Sequence, residues 1–364
     1  MTDPARRPRR AISLLEIGGI ILTALQLPFV LAWKLFILTI ILHGQVKSWR
    51  RVLGDAAFRF LSSALSVRKL QFVLGTTRQV YETWAKQNGL PALVEEVGED
   101  ARLLWVGPKR TDRVIIYFHG GGYVIPLQDF SASFWNHLRV QLNKHEGLNI
   151  GLVIFSYSLV PTAVFPTPLR QAALALNHVI ASGVTPENIQ IVGDSAGANL
   201  LLSLLSHILH PLDGIPRVPL RSRIHGIYLM SPWVSLAGGT RSFVENDKSD
   251  VVGAMTFAYC ARKVFSGVEE SCYPYLDPSL TPGAWFQGID EVVTRVLISA
   301  GDVECLRDGI VQLSERIAQY HSGVTLIVQE GGVHNDPYYD FLAREPKLCA
   351  LTARIQAWIA RGFP

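Results

Sequence analysis

Hydrophobic runs of strand length alternate with longer amphipathic stretches through most of the chain after residue 110. Strand-like runs occur at 113–118, 150–157, 189–193, 224–230, 293–300 and 324–329. The helix-like stretches between them are 166–182, 196–210, 308–321 and 344–361. Strands that alternate with helices are typical of parallel β-α-β units, in which helices cover both faces of the sheet. The pattern therefore predicts one α/β domain with a mostly parallel, doubly wound sheet.

The region before this domain has a different pattern. Residues 44–110 carry mixed helical periodicity with interspersed aromatic side chains and no strong strand run. We expect this region to form a helical cap, or lead-in, that packs over the top of the α/β domain. The expected organisation is a basic tail with an apolar segment at 1–43, the cap at 44–110 and the α/β domain at 111–364.

An apolar segment lies near the amino terminus. Residues 11–42 contain two charged side chains, Glu16 and Lys34, with 17 uncharged residues between them. A helix that spans a bilayer needs about 20 apolar residues, and basic residues on either side suit contact with lipid headgroups. The basic residues that flank the segment are four arginines before it, and Lys47, Arg50 and Arg51 after it. We therefore predict a single-pass membrane anchor at 11–42.

Two other interpretations of this segment stay open, namely a helix in the membrane interface that is kinked at Pro28 and a hydrophobic cap helix of a soluble protein. A cleaved signal peptide fits less well, because the apolar stretch exceeds the usual ~7–15 residues. Basic residues before and after the segment nearly balance, so the positive-inside rule selects no orientation. We expect the endoplasmic reticulum as the location, with the side that the body faces undetermined.

Composition excludes several classes of protein. The chain has 364 residues, of which 49% are hydrophobic and 18% charged, and this is too apolar for a disordered protein. Most of its net charge of +4 lies in the first ten residues, so the nearly neutral body does not suit nucleic-acid binding. The four cysteines are widely separated and form no CxxC pair, which argues against a disulfide framework and a zinc site.

The sequence Gly193-Asp194-Ser195-Ala196-Gly197 has the pattern of a nucleophilic serine. It follows a buried strand and opens a helix, and the sharp turn between the two requires residues with small side chains. The Ser195 hydroxyl then lies beside a helix amino terminus, where amide dipoles favour negative charge. A glycine-rich turn with a serine that caps the helix is the alternative interpretation.

A second glycine-rich stretch, His119-Gly120-Gly121-Gly122, follows the strand at 113–118. Consecutive glycines let neighbouring backbone N–H groups converge on one point, as an oxyanion formed at a serine requires. A phosphate-binding loop would need GxxxxGK[ST] or GxGxxG, and neither pattern occurs here. His119 is predicted to orient this loop by hydrogen bonds rather than to act as a base.

Together these motifs resemble the hormone-sensitive-lipase-like branch of the α/β-hydrolase superfamily. HGGG precedes GDSAG by about 75 residues, and the stretch from Tyr157 to Pro166 is similar to the family's Y-R-L-A-P-E…F-P segment. Thr162 stands where the family has glutamate, and Ser231-Pro232-Trp233 matches a further family pattern. The resemblance covers roughly residues 110–361.

The resemblance implies an α/β-hydrolase fold with a helical cap, and hydrolysis of carboxylic esters without a metal or an organic cofactor. It implies that Ser195 is the nucleophile and that His334, which follows the last strand-like run, is the general base. The backbone amides of Gly121, Gly122 and Ala196 are the expected oxyanion hole.

The sequence offers three candidates for the acidic partner of the histidine. The family has D-P-L-x-D after the preceding strand, whereas this chain reads Asp302-Val303-Glu304-Cys305-Leu306-Arg307-Asp308. Alignment on the last three of these residues assigns the acid to Glu304. Asp302 is the alternative by position, and Asp308 better suits the cap of the helix that begins there.

An anchored hydrolase of this branch resembles fungal steryl acetyl hydrolases and hydrolases of secondary metabolism. The expected substrate is therefore a short-acyl ester, above all an acetyl ester, of an apolar alcohol such as a sterol or a secondary metabolite. An amidase, a lactonase and an acyltransferase that use the same residues are alternatives. A non-catalytic ligand-binding receptor is a further alternative, although receptors of this fold lack the histidine that His334 supplies here.

Overall fold

An eight-stranded mixed sheet forms the centre of the protein. The computed structural model describes residues 12–41 and 47–363, with side chains omitted at 38–41. The strands are β1 (Ala92–Gly98), β2 (Ala101–Val106), β3 (Val114–Phe118), β4 (Gly151–Ser156), β5 (Ile189–Asp194), β6 (Gly226–Met230), β7 (Val296–Gly301) and β8 (Val324–Gln329). They lie in the order β1-β2-β4-β3-β5-β6-β7-β8. All pairs from β4 to β8 are parallel, and β2 pairs antiparallel with both of its neighbours.

Helices cover both faces of this sheet and its upper edge. They are α1 (Leu14–Ile41), α2 (Trp49–Ala64), α3 (Val67–Leu74), α4 (Thr77–Gln87), α5 (Asp129–His145), α6 (Thr167–Ala181), α7 (Ser195–Leu209), α8 (Arg241–Glu245), α9 (Ala254–Val264), α10 (Tyr273–Leu276), α11 (Ile289–Val292), α12 (Arg307–Ala318), α13 (Asp336–Leu342) and α14 (Ala350–Ala360). Residues of α6, α7 and α12 pack in the core on one face, and residues of α5 and α14 pack on the other. The predicted doubly wound α/β fold is confirmed.

The structure differs from the predicted elements in three places. Residues 92–106 form the hairpin β1–β2, where no strand was expected, because β1 is a half-exposed edge strand with acidic residues and lacks a continuous apolar run. Helix α5 was not predicted. The helix expected at 344–361 begins later, as α14, and the separate helix α13 before it was not predicted. Pro346 lies between the two helices, where a missing N–H breaks helical bonding. The division of the chain at residue 110 stays a prediction.

The topology places two motif loops side by side. The chain passes from β3 out to β4 and then returns to β5 on the other side of β3, so β3 and β5 are neighbours. Their register pairs Phe118 with Gly193, the residues just before His119 and Asp194. Because both strands are parallel, both loops leave at the same edge, where open α/β sheets bind ligands.

Helix α1 is apolar on all sides and mostly exposed. Its segment Leu14–Ile37 has a mean hydropathy of 2.0, and its length and composition suffice to cross a membrane. The side chain of Thr23 is buried, whereas Leu15 is 90% exposed and Phe29 is 77% exposed. A segment of this kind near the amino terminus serves as a membrane anchor or as a signal sequence. The basic tail predicted at 1–10 lies outside the described residues.

Candidate active site

Ser195 lies at the sharp junction between β5 and α7. Its backbone is in the left-handed region with φ 49°, a conformation that costs energy for a residue with a side chain and that is found at functional turns. Tight packing holds the turn, since a Cβ atom on Gly197 would lie 2.0 Å from the Phe118 carbonyl oxygen. The hydroxyl of Ser195 therefore sits at the amino terminus of a buried helix, as the motif predicts.

His334 reaches Ser195 from the loop between β8 and α13. Its Nε2 lies 2.9 Å from the Ser195 Oγ, and both side chains are buried. The Phe257 ring of α9 packs edge-on against the imidazole, with ring centres 5.3 Å apart. The serine hydroxyl and the imidazole are thus at hydrogen-bond distance in a site shielded from water.

Glu304 faces the other nitrogen of this histidine. Its Oε2 accepts hydrogen bonds from the Ser231 hydroxyl at 2.6 Å and the Gly301 N–H at 2.9 Å. Its Oε1 lies 3.9 Å from His334 Nδ1, longer than a hydrogen bond, and neither atom has another partner among the described residues. Catalytic hydrogen bonds are often long in structures without substrate.

The two alternative acids lie elsewhere. Within residues 12–41 and 47–363, Glu304 is the acidic residue at ion-pair distance from the His334 ring. The Asp308 carboxylate accepts hydrogen bonds from the Ser242 N–H and the Arg307 guanidinium instead. The Asp302 Oδ1 is buried without a hydrogen-bond partner in the described part of the chain. The structure therefore brings Ser195, His334 and Glu304 together and leaves Asp302 and Asp308 apart from them.

The electrostatic surroundings favour a charged imidazole. Burial by itself lowers the pKa of His334, but the facing Glu304 carboxylate, with further charge from Asp250 and Asp194, raises this pKa above its usual 6.5. The negative charge of these three carboxylates thus stabilises the imidazolium that proton transfer from Ser195 would create.

Sequence reasoning missed two polar residues that join the segments of this site. Asp250 is buried, and its carboxylate accepts the backbone N–H groups of His334 at 2.9 Å and of Cys305 at 2.8 Å. Ser231 donates to Glu304 and accepts the Asn335 N–H at 3.0 Å. Both residues connect the acid segment to the histidine loop. Ser231 lay within a quoted motif, but no local pattern marks Asp250.

The predicted oxyanion-hole residues lie beside Ser195. Gly121 and Gly122 have φ values of 112° and 60°, and a Cβ atom on Gly121 would lie 2.5 Å from the Ile125 carbonyl oxygen. In the described chain, the N–H groups of these two glycines donate to no other group. Ala196 follows Ser195 at the start of α7. Gly121, Gly122 and Ser195 line the same pocket, and the oxyanion hole formed by the three amides stays a prediction.

Asp194 ties the glycine-rich loop to the rest of the site. Its Oδ1 accepts the Gly120 N–H at 2.9 Å and the Tyr117 hydroxyl at 2.7 Å, and Tyr338 donates from 3.3 Å. Its Oδ2 accepts from the Asn335 side chain at 2.9 Å. Burial raises the pKa of Asp194 to about 6, so the carboxylate is mostly ionised at neutral pH and holds these donors.

His119 has the surroundings of a structural residue. Its Nδ1 lies 2.7 Å from the Gly120 carbonyl oxygen, its Nε2 lies 3.2 Å from the Thr77 hydroxyl, and its ring stacks on Tyr157. Burial lowers the pKa of His119 to about 4, so the ring is neutral. These contacts agree with the loop-orienting role predicted from the sequence.

A largely apolar pocket opens over these groups. It leaves a cavity volume of about 100 Å³ to the centres of water-sized molecules and is roofed by α2, α3 and α9. Its apolar lining includes Phe58, Leu65, Leu70, Val124, Phe130, Phe257 and Tyr259. No lysine, arginine or glutamate lines it among the described residues. Nor does the described chain contain a cluster of three His, Cys, Asp or Glu side chains placed to hold a metal ion.

Comparisons with known proteins agree with this geometry. A family profile described as alpha/beta hydrolase fold matches residues 115–336. The chain is 28% identical over 223 residues to an acetyl-hydrolase of Streptomyces hygroscopicus, covering 61% of this chain and 67% of that protein. It is 32% identical over 122 residues to human hormone-sensitive lipase, covering 32% of this chain and 11% of the lipase. Steryl acetyl hydrolase 1 of Saccharomyces cerevisiae is 28% identical over 102 residues, 27% of this chain and 23% of that protein.

Solved structures show the same fold. An esterase from the bacterial hormone-sensitive lipase family superposes with a TM-score of 0.65 at 22% identity, covering 88% of this chain and all of that one. A carboxyl esterase of the fungus Tuber melanosporum has a TM-score of 0.60 at 21% identity, covering 75% of this chain and 87% of that one. The chain belongs to the α/β-hydrolase fold family, in its hormone-sensitive-lipase-like branch.

Proposed function

We propose that this protein is a carboxylic ester hydrolase that works through an acyl-enzyme on Ser195. The observation that carries the proposal is the 2.9 Å contact between Ser195 Oγ and His334 Nε2, made beside two glycine amides that have no other partner among the described residues. Nucleophile, base and oxyanion donors are the parts that acyl transfer requires. Relatives named as acetyl-hydrolases and steryl acetyl hydrolases support the same reaction class.

The first half of the reaction forms the acyl-enzyme. His334 Nε2 takes the proton of the Ser195 hydroxyl while the oxygen attacks the ester carbonyl. The amides of Gly121, Gly122 and Ala196 hold the tetrahedral oxyanion, and each such donor is worth about 10²- to 10³-fold in rate. Glu304 stabilises the imidazolium and fixes its orientation without taking its proton. The imidazolium then protonates the leaving alcohol.

The second half repeats these roles with water. His334 accepts a proton from a water molecule, which attacks the acyl carbonyl, and the same amides hold the second oxyanion. The imidazolium returns the proton to Ser195 Oγ, and the carboxylic acid leaves. Transfer of the acyl group to another alcohol, cleavage of an amide and opening of a lactone need the same residues. The measured products therefore decide among these alternatives.

We assign the substrate class from the pocket lining and from the relatives. Aromatic and aliphatic side chains suit an apolar alcohol, and the acetyl-hydrolase relatives support a short acyl group. The test is hydrolysis of p-nitrophenyl acetate, butyrate and decanoate in detergent. Faster turnover of the shorter esters is expected, and labelling by a fluorophosphonate reports the nucleophile independently. The absence of both turnover and labelling would favour a binding protein.

The lining also predicts discrimination against charged alcohols. We expect 1-naphthyl acetate to be hydrolysed with kcat/KM at least about 10²-fold above that of its 5-sulfonate, because the anion would be buried without a partner. The two esters share the acyl group and the ring, so the acylation chemistry is matched. Equal kcat/KM values would show that the alcohol part of the ester stays in solvent and that the apolar pocket does not bind it.

We further propose that α1 attaches the protein to a membrane. Its large exposed apolar surface is unfavourable in water and suits hydrocarbon. A single-pass arrangement at the endoplasmic reticulum stays a prediction from the sequence.

Deletion of residues 1–43 is expected to move the protein from the membrane pellet to the soluble fraction while p-nitrophenyl acetate hydrolysis continues. Activity should persist because α2, which roofs the pocket, stays intact. Deletion of residues 1–10 alone serves as the control and should leave the protein in the pellet. A truncated protein that still sediments with carbonate-washed membranes would assign attachment to another surface.

A further inference from the structure

Arg51 is a charged residue inside the protein. In the sequence it is one of the basic residues that flank the apolar segment 11–42, but only 4% of its surface is exposed. It lies in the first turn of α2 and points toward α13. A buried guanidinium is costly unless its donors are satisfied, so its partners show what it holds.

Three carboxylates surround the Arg51 guanidinium. Its Nη2 lies 2.5 Å from Asp336 Oδ1, its Nη1 lies 2.7 Å from Asp340 Oδ1, and its Nε lies 2.8 Å from Asp55 Oδ1. It also packs over the Tyr339 ring at 5.4 Å. Asp55 belongs to α2 itself, whereas the other two carboxylates belong to α13. The ion pairs therefore join α2 to the helix that begins just after His334.

Asp336 also forms hydrogen bonds with the loop that carries His334. Its Oδ1 also accepts the Val333 N–H at 3.2 Å, and its Oδ2 accepts from the Gln329 side chain at 2.7 Å. His334 lies between Val333 and Asn335, and Asn335 has a left-handed backbone with φ 56°. Such a conformation persists where surrounding contacts hold it. Arg51 thus holds the Asp336 carboxylate in place, and this carboxylate bonds to the residues just before the strained turn that carries His334.

A second arginine of α2 contacts the other side of the site. Arg59 Nη1 donates to the Asp250 carbonyl oxygen at 2.5 Å. The Asp250 carboxylate accepts the backbone N–H groups of His334 and Cys305, the residue after Glu304. Helix α2 therefore touches both α13, which follows His334, and Asp250, whose carboxylate joins the histidine segment to the acid segment.

We infer that Arg51 is a positioning residue for ester hydrolysis: its ion pairs to Asp336 and Asp340 hold His334 at hydrogen-bond distance from Ser195. The inference rests on the proposed function. Buried ion pairs are often replaceable by apolar side chains without loss of stability, so the contribution assigned to this cluster is the geometry of the loop. A displacement of about 1 Å at a reacting group can cost about 10²-fold in rate.

The test compares Arg51→Met and Arg51→Lys with Arg50→Met, a matched control on the exposed neighbour. In Arg51→Met, kcat for p-nitrophenyl acetate and the rate of fluorophosphonate labelling are expected to fall about 10- to 100-fold. KM should stay within about threefold of the wild-type value. Arg51→Lys should recover part of both rates, since one ion pair can reform, and Arg50→Met should match the wild type.

A fourth variant distinguishes an effect on the position of His334 from an effect on folding. Arg51→Met leaves Asp340 without a cation among the described residues and leaves Asp336 with Lys47 alone, at 3.9 Å. The variant Arg51→Met/Asp336→Asn/Asp340→Asn removes the poorly compensated negative charge as well. This variant should recover the thermal midpoint and keep the slow labelling. A folded Arg51→Met or triple variant that labels at the wild-type rate overturns the inference. Unfolding of all the Arg51 variants also overturns it, because Arg51 would then serve stability. Wild-type protein that neither labels nor turns over ester would instead overturn the proposed function.

Discussion

Replacement of Ser195 by alanine is expected to lower kcat for p-nitrophenyl acetate by about 10⁶-fold, the scale seen when a triad that acts as a unit loses its nucleophile. Covalent labelling by a fluorophosphonate should disappear. The fold should persist, because the hydrogen bond that is lost is the one between the Ser195 hydroxyl and His334. Alanine also adopts the backbone conformation at φ 49° at the same cost as serine. The measurements are ester turnover, labelling and the thermal midpoint.

Ser203 provides a matched control for this substitution. It is also buried in α7, and its hydroxyl bonds to the Tyr275 carbonyl oxygen instead of to the histidine. Ser203→Ala should therefore keep labelling and most of the turnover, at some cost in stability. Wild-type turnover by Ser195→Ala would mean that another nucleophile, or no covalent step, carries the reaction.

Replacement of Glu304 by glutamine is expected to lower kcat about 10³- to 10⁴-fold. Glutamine keeps the size of the side chain but loses the charge that stabilises the imidazolium and fixes its tautomer. Asp302→Asn is the matched control and should change kcat by a few-fold at most, since Asp302 lies apart from the histidine. If Asp302→Asn proves the more damaging, the acid is Asp302.

The same variant should change the pH profile in a defined direction. His334 must be neutral to accept a proton, and its pKa is raised, so wild-type kcat/KM should fall as the pH drops through a value above 6.5. Loss of the Glu304 charge removes the main influence that raises this pKa. The acid limb of the Glu304→Gln profile should therefore move to lower pH. Asp250 and Asp194 would still raise the pKa of His334 in part. If the acid limb stayed at the same pH, the charge of Glu304 would have no effect on the pKa of His334.

Local sequence patterns predicted the central part of the fold well. Strands β3 to β8 lie within three residues of their predicted bounds, because each is a short apolar run. All of them except the edge strand β8 are buried along their whole length. The hairpin β1–β2 escaped prediction because an edge strand keeps charged residues on its open side.

The candidate site was predictable only where residues are neighbours in the sequence. Ser195 and the glycine-rich loop follow from short motifs, and His334 follows from its place after the last strand. Asp250 and Arg51 carry no local pattern, since each acts across more than 80 residues through a backbone N–H or a carboxylate. Contacts of this kind arise from tertiary packing and become visible only in the folded chain.

Gly197 packs tightly against the Phe118 carbonyl, so neither motif loop can shift without the other. The reacting groups on these loops therefore have little freedom to change position. The roof of the pocket is less constrained. Cys260 of α9 lies where a side chain on Gly122 would meet it, and α9, α2 and α3 supply none of the reacting groups. New substrate ranges can therefore evolve, or be engineered, by exchange of pocket-facing roof side chains that do not touch the histidine loop, while Arg51, Phe257 and the reacting groups stay constant.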